Sequence, residues 1–370
     1  MLDLCVAAVM DLHISWSRLM EAVVVVNPGS TSTKVAITDG EQIVRSETLR
    51  HDVATLNAFG TIWEQYPFRL EAVRTWAAQH VERCMAVVAR GGLLKPVEGG
   101  TYLVTDAMLE DARKNLQGEH AANLGCAIAY ELAREYACSA FIVDPVSAYE
   151  FEPLAKYSGL PQIERRSLSH ALNIHATARR AAEQLGKPLH ETRFVVCHLG
   201  SGISIAPLRG GKIIDVNDAS SDGPYAPERS GGLPLQQFIT LCFSGTYSER
   251  ELRDLVRARG GLLAYLGTND VREVERRIEQ GDSYAREVYE AMAYQIAKEI
   301  GAMATVLHGD VHAIVMTGSA AHSRLLTSWI GERVRFIAPV LMFPGEDEMI
   351  ALALGALRVL RGVEEAKRYE

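Results

Sequence analysis

One supersecondary pattern occurs twice in the chain, and this duplication restricts the possible folds more than any other feature. In the first copy an apolar run, Val23 to Val26, passes through Asn27 and Pro28 into Gly29, Ser30, Thr31, Ser32, Thr33 and Lys34. It returns through Val35, Ala36 and Ile37. The β-branched run reads as a strand, the glycine and hydroxyl residues as a turn, and the return as a second strand. Asp39 and Gly40 then turn the chain into a third run, residues 43–49. In the second copy Phe194, Val195, Val196 and Cys197 lead through His198 and Leu199 to Gly200, Ser201 and Gly202. The return is Ile203, Ser204 and Ile205, and Gly210 and Gly211 stand where Asp39 and Gly40 stood. A third strand-to-glycine unit runs from Ala313 to Gly318 and Ser319. Repetition near half the chain length implies two lobes on one plan.

The first turn offers hydroxyls and a lysine with no negative charge, so an anion suits it. It is not a P-loop, because Val35 replaces the Ser/Thr after Lys34 and the second glycine is missing. Two facing glycine hairpins and a third glycine turn make an actin-like nucleotide-binding arrangement, an α/β fold with the nucleotide between two lobes. Such a fold does not name a substrate. The expected first lobe comprises residues 20–160 with 346–370. Residues 161–345 form the second lobe, with the second phosphate hairpin and the adenosine site. Residues 1–19 read as an extension before Met20, because Asp3 and the lack of a basic start make a poor signal peptide.

At 370 residues the chain has room for about two domains. Its 46 acidic and 38 basic residues give a net charge of −8, which argues against a general nucleic-acid surface but allows a local cationic pocket. The six cysteines show no metal spacing and read as buried free thiols of a reducing, cytoplasmic compartment. No apolar run is long enough for a membrane span. Helical spacing marks residues 121–136, 170–185, 283–308 and 348–361, the last packing back on the first lobe. Asp144 sits at a strand end, where sheet proteins place working side chains. The loop 217–232 is long, polar and glycine-bearing, as functional loops are. His198 reads as structural, and Arg165 with Arg166 as a solvated charge pair.

Residues 27–34, 198–204 and 227–234 resemble the butyrate kinases, a group within the acetate kinase family of acyl-phosphate-forming enzymes. Residues 90–96, 118–124, 141–145 and 344–348 are similar to that group as well. The resemblance implies reversible phosphorylation of a short-chain carboxylate by ATP with Mg²⁺, in a homo-oligomer. A carboxylate is ionised at neutral pH, so the nucleophile needs no general base. The obstacle is bringing two anions together, which positioning and cations overcome. By resemblance, Arg229 grips substrate and phosphoryl group, His170 holds the transition state, and Asp144 orients Mg²⁺ or its waters. Asn27 and Glu348 complete the metal environment. Ser30, Ser32 and Lys34 lie on the first phosphate loop, Gly200, Ser201 and Gly202 on the second, while Gly318 and Ser319 line the adenosine.

The departures from the acetate kinases are also informative. Those relatives carry an Arg where Val87 stands, so the substrate carboxylate is transferred to Arg90. They carry a Phe at the place of Ser169 and a Leu near that of Gly118. Both changes widen the expected acyl pocket, by resemblance favouring butyrate or isobutyrate over acetate. A hydroxyl kinase on the same fold would instead need Asp144 as general base. A non-enzymatic actin-like ATP-binding module is the third reading.

Overall fold

The computed structural model describes residues 21–370, so the expected extension 1–19, Met20 and Cys5 lie outside the described residues. Among these residues eleven strands form two sheets. The first sheet contains β1 (Ala22–Pro28), β2 (Ser32–Asp39), β3 (Gln42–Arg50), β4 (Ala86–Arg90), β5 (Thr101–Leu103) and β6 (Ser139–Val143). The second contains β7 (Arg193–Leu199), β8 (Ile203–Arg209), β9 (Lys212–Ile213), β10 (Ala313–Gly318) and β11 (Val340–Pro344).

Spatial order is β3-β2-β1-β4-β6-β5 in one sheet and β11-β10-β7-β8-β9 in the other. In each, a glycine hairpin supplies the antiparallel strands, while two crossover strands run parallel to the hairpin's first strand. With β5 set aside, the second sheet repeats the topology of the first.

Strand β1 is buried on both faces, which explains its unbroken valines. Val24 and Val26 pack under outer helices with Val73, Trp76 and Ile128. Val23 and Val25 face the helix Glu348–Leu360 through Leu352, Ala353 and Ala356. Strand β7 alternates in the same way. Val195 and Cys197 meet Met292, Ile296 and Ile300 of the helix Ser283–Val306, whereas Phe194 and Val196 meet Ile174 and Ala178 of the helix Ala171–Gln184. Leu172 and Ala176 of that last helix join the core around the helix Glu348–Leu360, so these two helices link the cores of the two sheets. Gly355 is needed at the sheet contact, because a Cβ there would lie 2.5 Å from Val143 Cγ2.

The helices Leu235–Cys242, Glu249–Arg257, Gly261–Leu266 and Val271–Glu279 have no counterpart in the periodicity reading. They are short, none longer than nine residues, so each holds only about two turns of any apolar period. No helix among the described residues is long and apolar enough to cross a membrane. Cys84, Cys126, Cys138, Cys197 and Cys242 are free thiols, but only Cys126 and Cys197 are fully buried.

Candidate active site

Two cavities lie on either side of the second glycine turn. One, of about 570 Å³, is lined by Gly200, Ser201, Pro227, Glu228, Asp270, Arg272, Ser319 and Ser323 among others. The other, of about 660 Å³, is lined by Arg90, Gly118, His120, Ser169, His170, Arg229 and Arg257, with apolar walls from Leu93, Val146, Leu168, Phe238 and Leu252. Residues 227–229 pass from one cavity wall to the other.

The turn between the cavities is shaped by close approach. A Cβ on Gly202 would overlap the Arg229 guanidinium, which donates to Ala219 O at 2.6 Å. A Cβ on Gly200 would meet His198 Nε2 and Glu346. Gly318, at φ 93°, packs against the backbone of Leu199 and pairs with Gly345 through mutual N–H···O bonds. Thus β7, β10 and β11 converge at this point.

His170 stands immediately before the helix Ala171–Gln184, without a side-chain capping bond, and stacks on His198, with ring centroids 3.8 Å apart. Its Nδ1 shares a hydrogen bond with Ser204 Oγ at 2.9 Å. Burial, then His198, Arg229 and Arg90, hold the His170 pKa well below the ordinary histidine value. Burial and the same two arginines, with Arg257, push His120 down to about 4. Both imidazoles are therefore neutral at physiological pH and act as hydrogen-bonding groups. Ser169 Oγ is buried without a hydrogen-bond partner beside this cavity, where a ligand atom would satisfy it.

Arg90, Arg166 and Arg253 in the second cavity each pair with a carboxylate, Glu348, Asp218 and Glu249 respectively. Among the described residues Arg229 and Arg257 form no ion pair, which leaves two guanidiniums free for an anion. Arg257 carried no sequence signal beyond its residue type, whereas His120 lay in the resembling segment 118–124 without an assigned role. The solvated-pair reading holds for Arg166, which is exposed where it pairs with Asp218 at the cavity edge, but not for Arg165, which is partly buried and bonds Asp215 and Ala155 O. The structural reading of His198 needs a similar extension, since it supports His170 and lies 3.3 Å from Glu346.

Asn27 and Glu348 meet directly, Nδ2 donating to Oε2 at 2.7 Å, with Arg90 3.1 Å from Oε1. Lys34 lies on β2 and its charge reaches Glu346, whose carboxyl is held low chiefly by the His198 hydrogen bond. Ser30 is exposed on the first turn, and Ser30, Ser32 and Lys34 line neither cavity. Gly118, at φ 111°, lines the second cavity.

Asp144 is not brought into this group. Its backbone adopts φ 41° at the end of β6, and Oδ1 accepts from Gly100 N at 2.7 Å and from His175 Nδ1 at 2.9 Å. Asp144 lines two other cavities, one with Glu150 and Lys367 and one with Asn173, Thr177 and Asp347, and neither of the two described above. The left-handed turn, absent from any strand-end pattern in sequence, redirects it.

The family can now be assigned. A model of the acetokinase family matches residues 156–325. The "Probable butyrate kinase 2" of Caldanaerobacter subterraneus subsp. tengcongensis is 50% identical over 354 residues, 95% of this chain and 100% of that relative. The chain belongs to the acetokinase family. A "Probable butyrate kinase" of Listeria monocytogenes is 48% identical over 94% of this chain and 99% of its own length. An acetate kinase structure from Porphyromonas gingivalis shares the fold with a TM-score of 0.75 at 19% identity, covering 92% of this chain and 100% of that one. A propionate kinase from Francisella tularensis gives 0.74 at 17% identity, over 91% and 99% of the two chains. As a member of the acetokinase family, this protein is an ATP-dependent phosphotransferase with a carboxyl group as acceptor.

Proposed function

We propose that the chain transfers the terminal phosphoryl group of ATP to butyrate or isobutyrate, in preference to acetate, and runs the reaction in both directions. The carrying observation is the junction of the two cavities, where unpaired Arg229 and neutral His170 flank the second glycine turn. ATP would occupy the cavity of Gly200, Ser201 and Ser319 and present its terminal phosphate at Gly202. The acid would enter the other cavity, its oxygens toward Arg90 and Arg257 and its acyl chain against Leu93, Val146, Leu168 and Phe238. Arg229 and His170 would then hydrogen-bond the equatorial oxygens as charge spreads over them.

Glu348 and Asn27 suit Mg²⁺ that keeps most of its waters and takes phosphate oxygens. Their one carboxylate is already shared with Arg90, and no cluster of three His, Cys, Asp or Glu offers a fuller cage among the described residues. When bound, the ion neutralises phosphate charge. Asp144, with its two hydrogen-bond partners outside the crevice, is better suited to positioning than to the metal or to base catalysis. A hydroxyl acceptor would need that base, which weighs against the sugar-kinase reading.

A second copy of the chain would cover the outer face of the helix Leu235–Cys242, where Leu235 is 74% exposed and neighbouring Phe243 87%. Sedimentation should therefore give an oligomer, and a monomer at micromolar concentration would refute this part. The main test is ATP-dependent hydroxamate formation with straight and branched acids of increasing length. Burying two further methylenes at ~0.8 kcal/mol each favours butyrate over acetate by roughly tenfold in kcat/KM. Equal kcat/KM for the two acids would overturn the acyl assignment.

A further inference from the structure

Arg69, on the helix Tyr66–His80, is fully buried, with no exposed surface. All of its donor groups are engaged, and none meets a carboxylate. Nε and Nη2 donate to Gln65 Oε1 at 3.0 and 2.9 Å. Nη1 donates to Gly29 O at 2.8 Å, to Ser32 O at 3.3 Å and to Thr33 Oγ1 at 3.4 Å, and Nη2 to Ser30 O at 2.8 Å. A buried charge without a counter-charge is costly, and a neutral side chain would remove that cost. Its position directly behind the first glycine turn supplies a reason for keeping it.

We infer that Arg69 is the positioning residue that shapes the first glycine turn to receive the nucleotide's phosphates and gives that turn its positive potential. The inference rests on the reading of this turn as a phosphate loop. In a trans peptide the C=O and the next N–H point in opposite directions. Carbonyls of Gly29 and Ser30 gathered on the guanidinium therefore turn the N–H groups of Ser30 and Thr31 away from it. Among the described residues neither of those N–H groups has a hydrogen-bond partner, whereas Gly29 N is closed onto Ser32 O at 2.7 Å. Two adjacent free amides over a buried cation form an anion-binding concavity.

The test uses Arg69→Met, which removes the charge, Arg69→Lys, which keeps the charge but loses the planar fork, and Lys34→Ala on the strand that leaves the turn. In Arg69→Met the Kd for MgATP should rise about tenfold or more, with adenosine binding and the KM for butyrate within about twofold of the parent. Arg69→Lys should recover part of the loss. If Arg69→Met binds MgATP as the parent does while Lys34→Ala does not, the inference fails and the phosphate-loop reading stands. If both bind normally, both fail. Should Arg69→Met not fold, Arg69→Lys decides. Selective loss of MgATP affinity supports the inference, while parental affinity, or an equal loss for MgATP, adenosine and butyrate, overturns it.

Discussion

The first glycine turn is held from behind by one buried cation that binds its carbonyls, and its Ser30 and Thr31 are exposed. The second has the same strand topology, yet around it stand Arg229, the stacked pair His170 and His198, and Glu346. Duplication thus supplied two equivalent backbones, and the side chains around them divided the work. One turn is a cradle whose support is hidden, and the other carries the groups able to act on a transferring phosphate.

The largest break in this comparison should come from Arg229→Ala. Removing the free guanidinium should lower kcat by ~10³ or more while the Kd for ATP stays near the parental value. Hydroxamate formation and equilibrium nucleotide binding measure the two, and equal losses would count against a transition-state role. His170→Ala should follow, with kcat down by roughly 10² in the same assay and little change in ATP affinity.

A matched pair of substitutions sharpens the contrast between the turns. Gly202→Ala places a methyl group where the Arg229 guanidinium lies, so kcat should fall by about tenfold or more. Gly29→Ala meets nothing nearer than Ser32 O at 3.4 Å, so stability should change by only ~0.5 kcal/mol and activity little. Similar kcat values for the two variants would erase the proposed division.

The smallest effect concerns the region behind the crevice. Burial opposes a charge on His175, but Asp144 and Glu150 outweigh it and raise the pKa to about 10. The folded value lies above the unfolded one near 6.5, so this stabilisation is complete below pH 6.5 and is lost as the pH rises toward 10. The parent's Tm should therefore fall over that interval more steeply than that of His175→Gln. Parallel Tm curves would show that the imidazolium does not stabilise the fold.

Much of the plan was legible because it is local. Valine-rich runs, glycine turns and their spacing located both hairpins, and the apolar period of residues 348–360 gave the returning helix. His170, Arg229, Gly200 and Ser201 are chosen through the family resemblance, and the structure sets all four on the walls of the two cavities. Arg69 could not be chosen, since a lone arginine on a helix reads as solvated until the turn folds over it. For Asp144 the strand-end position is visible in sequence, but the left-handed backbone that directs its carboxylate to Gly100 and His175 is not.

By itself, then, the sequence determined the doubled hairpin architecture and the kinds of group at each turn, because alternation, turn chemistry and residue type act over a few neighbouring positions. Only the tertiary structure decided which cations remain unpaired, which imidazoles stay neutral and which side of a strand end a carboxylate serves. Those properties depend on burial and on partners far away in the chain, such as Glu348 against Arg90 and Gly99 against Glu150.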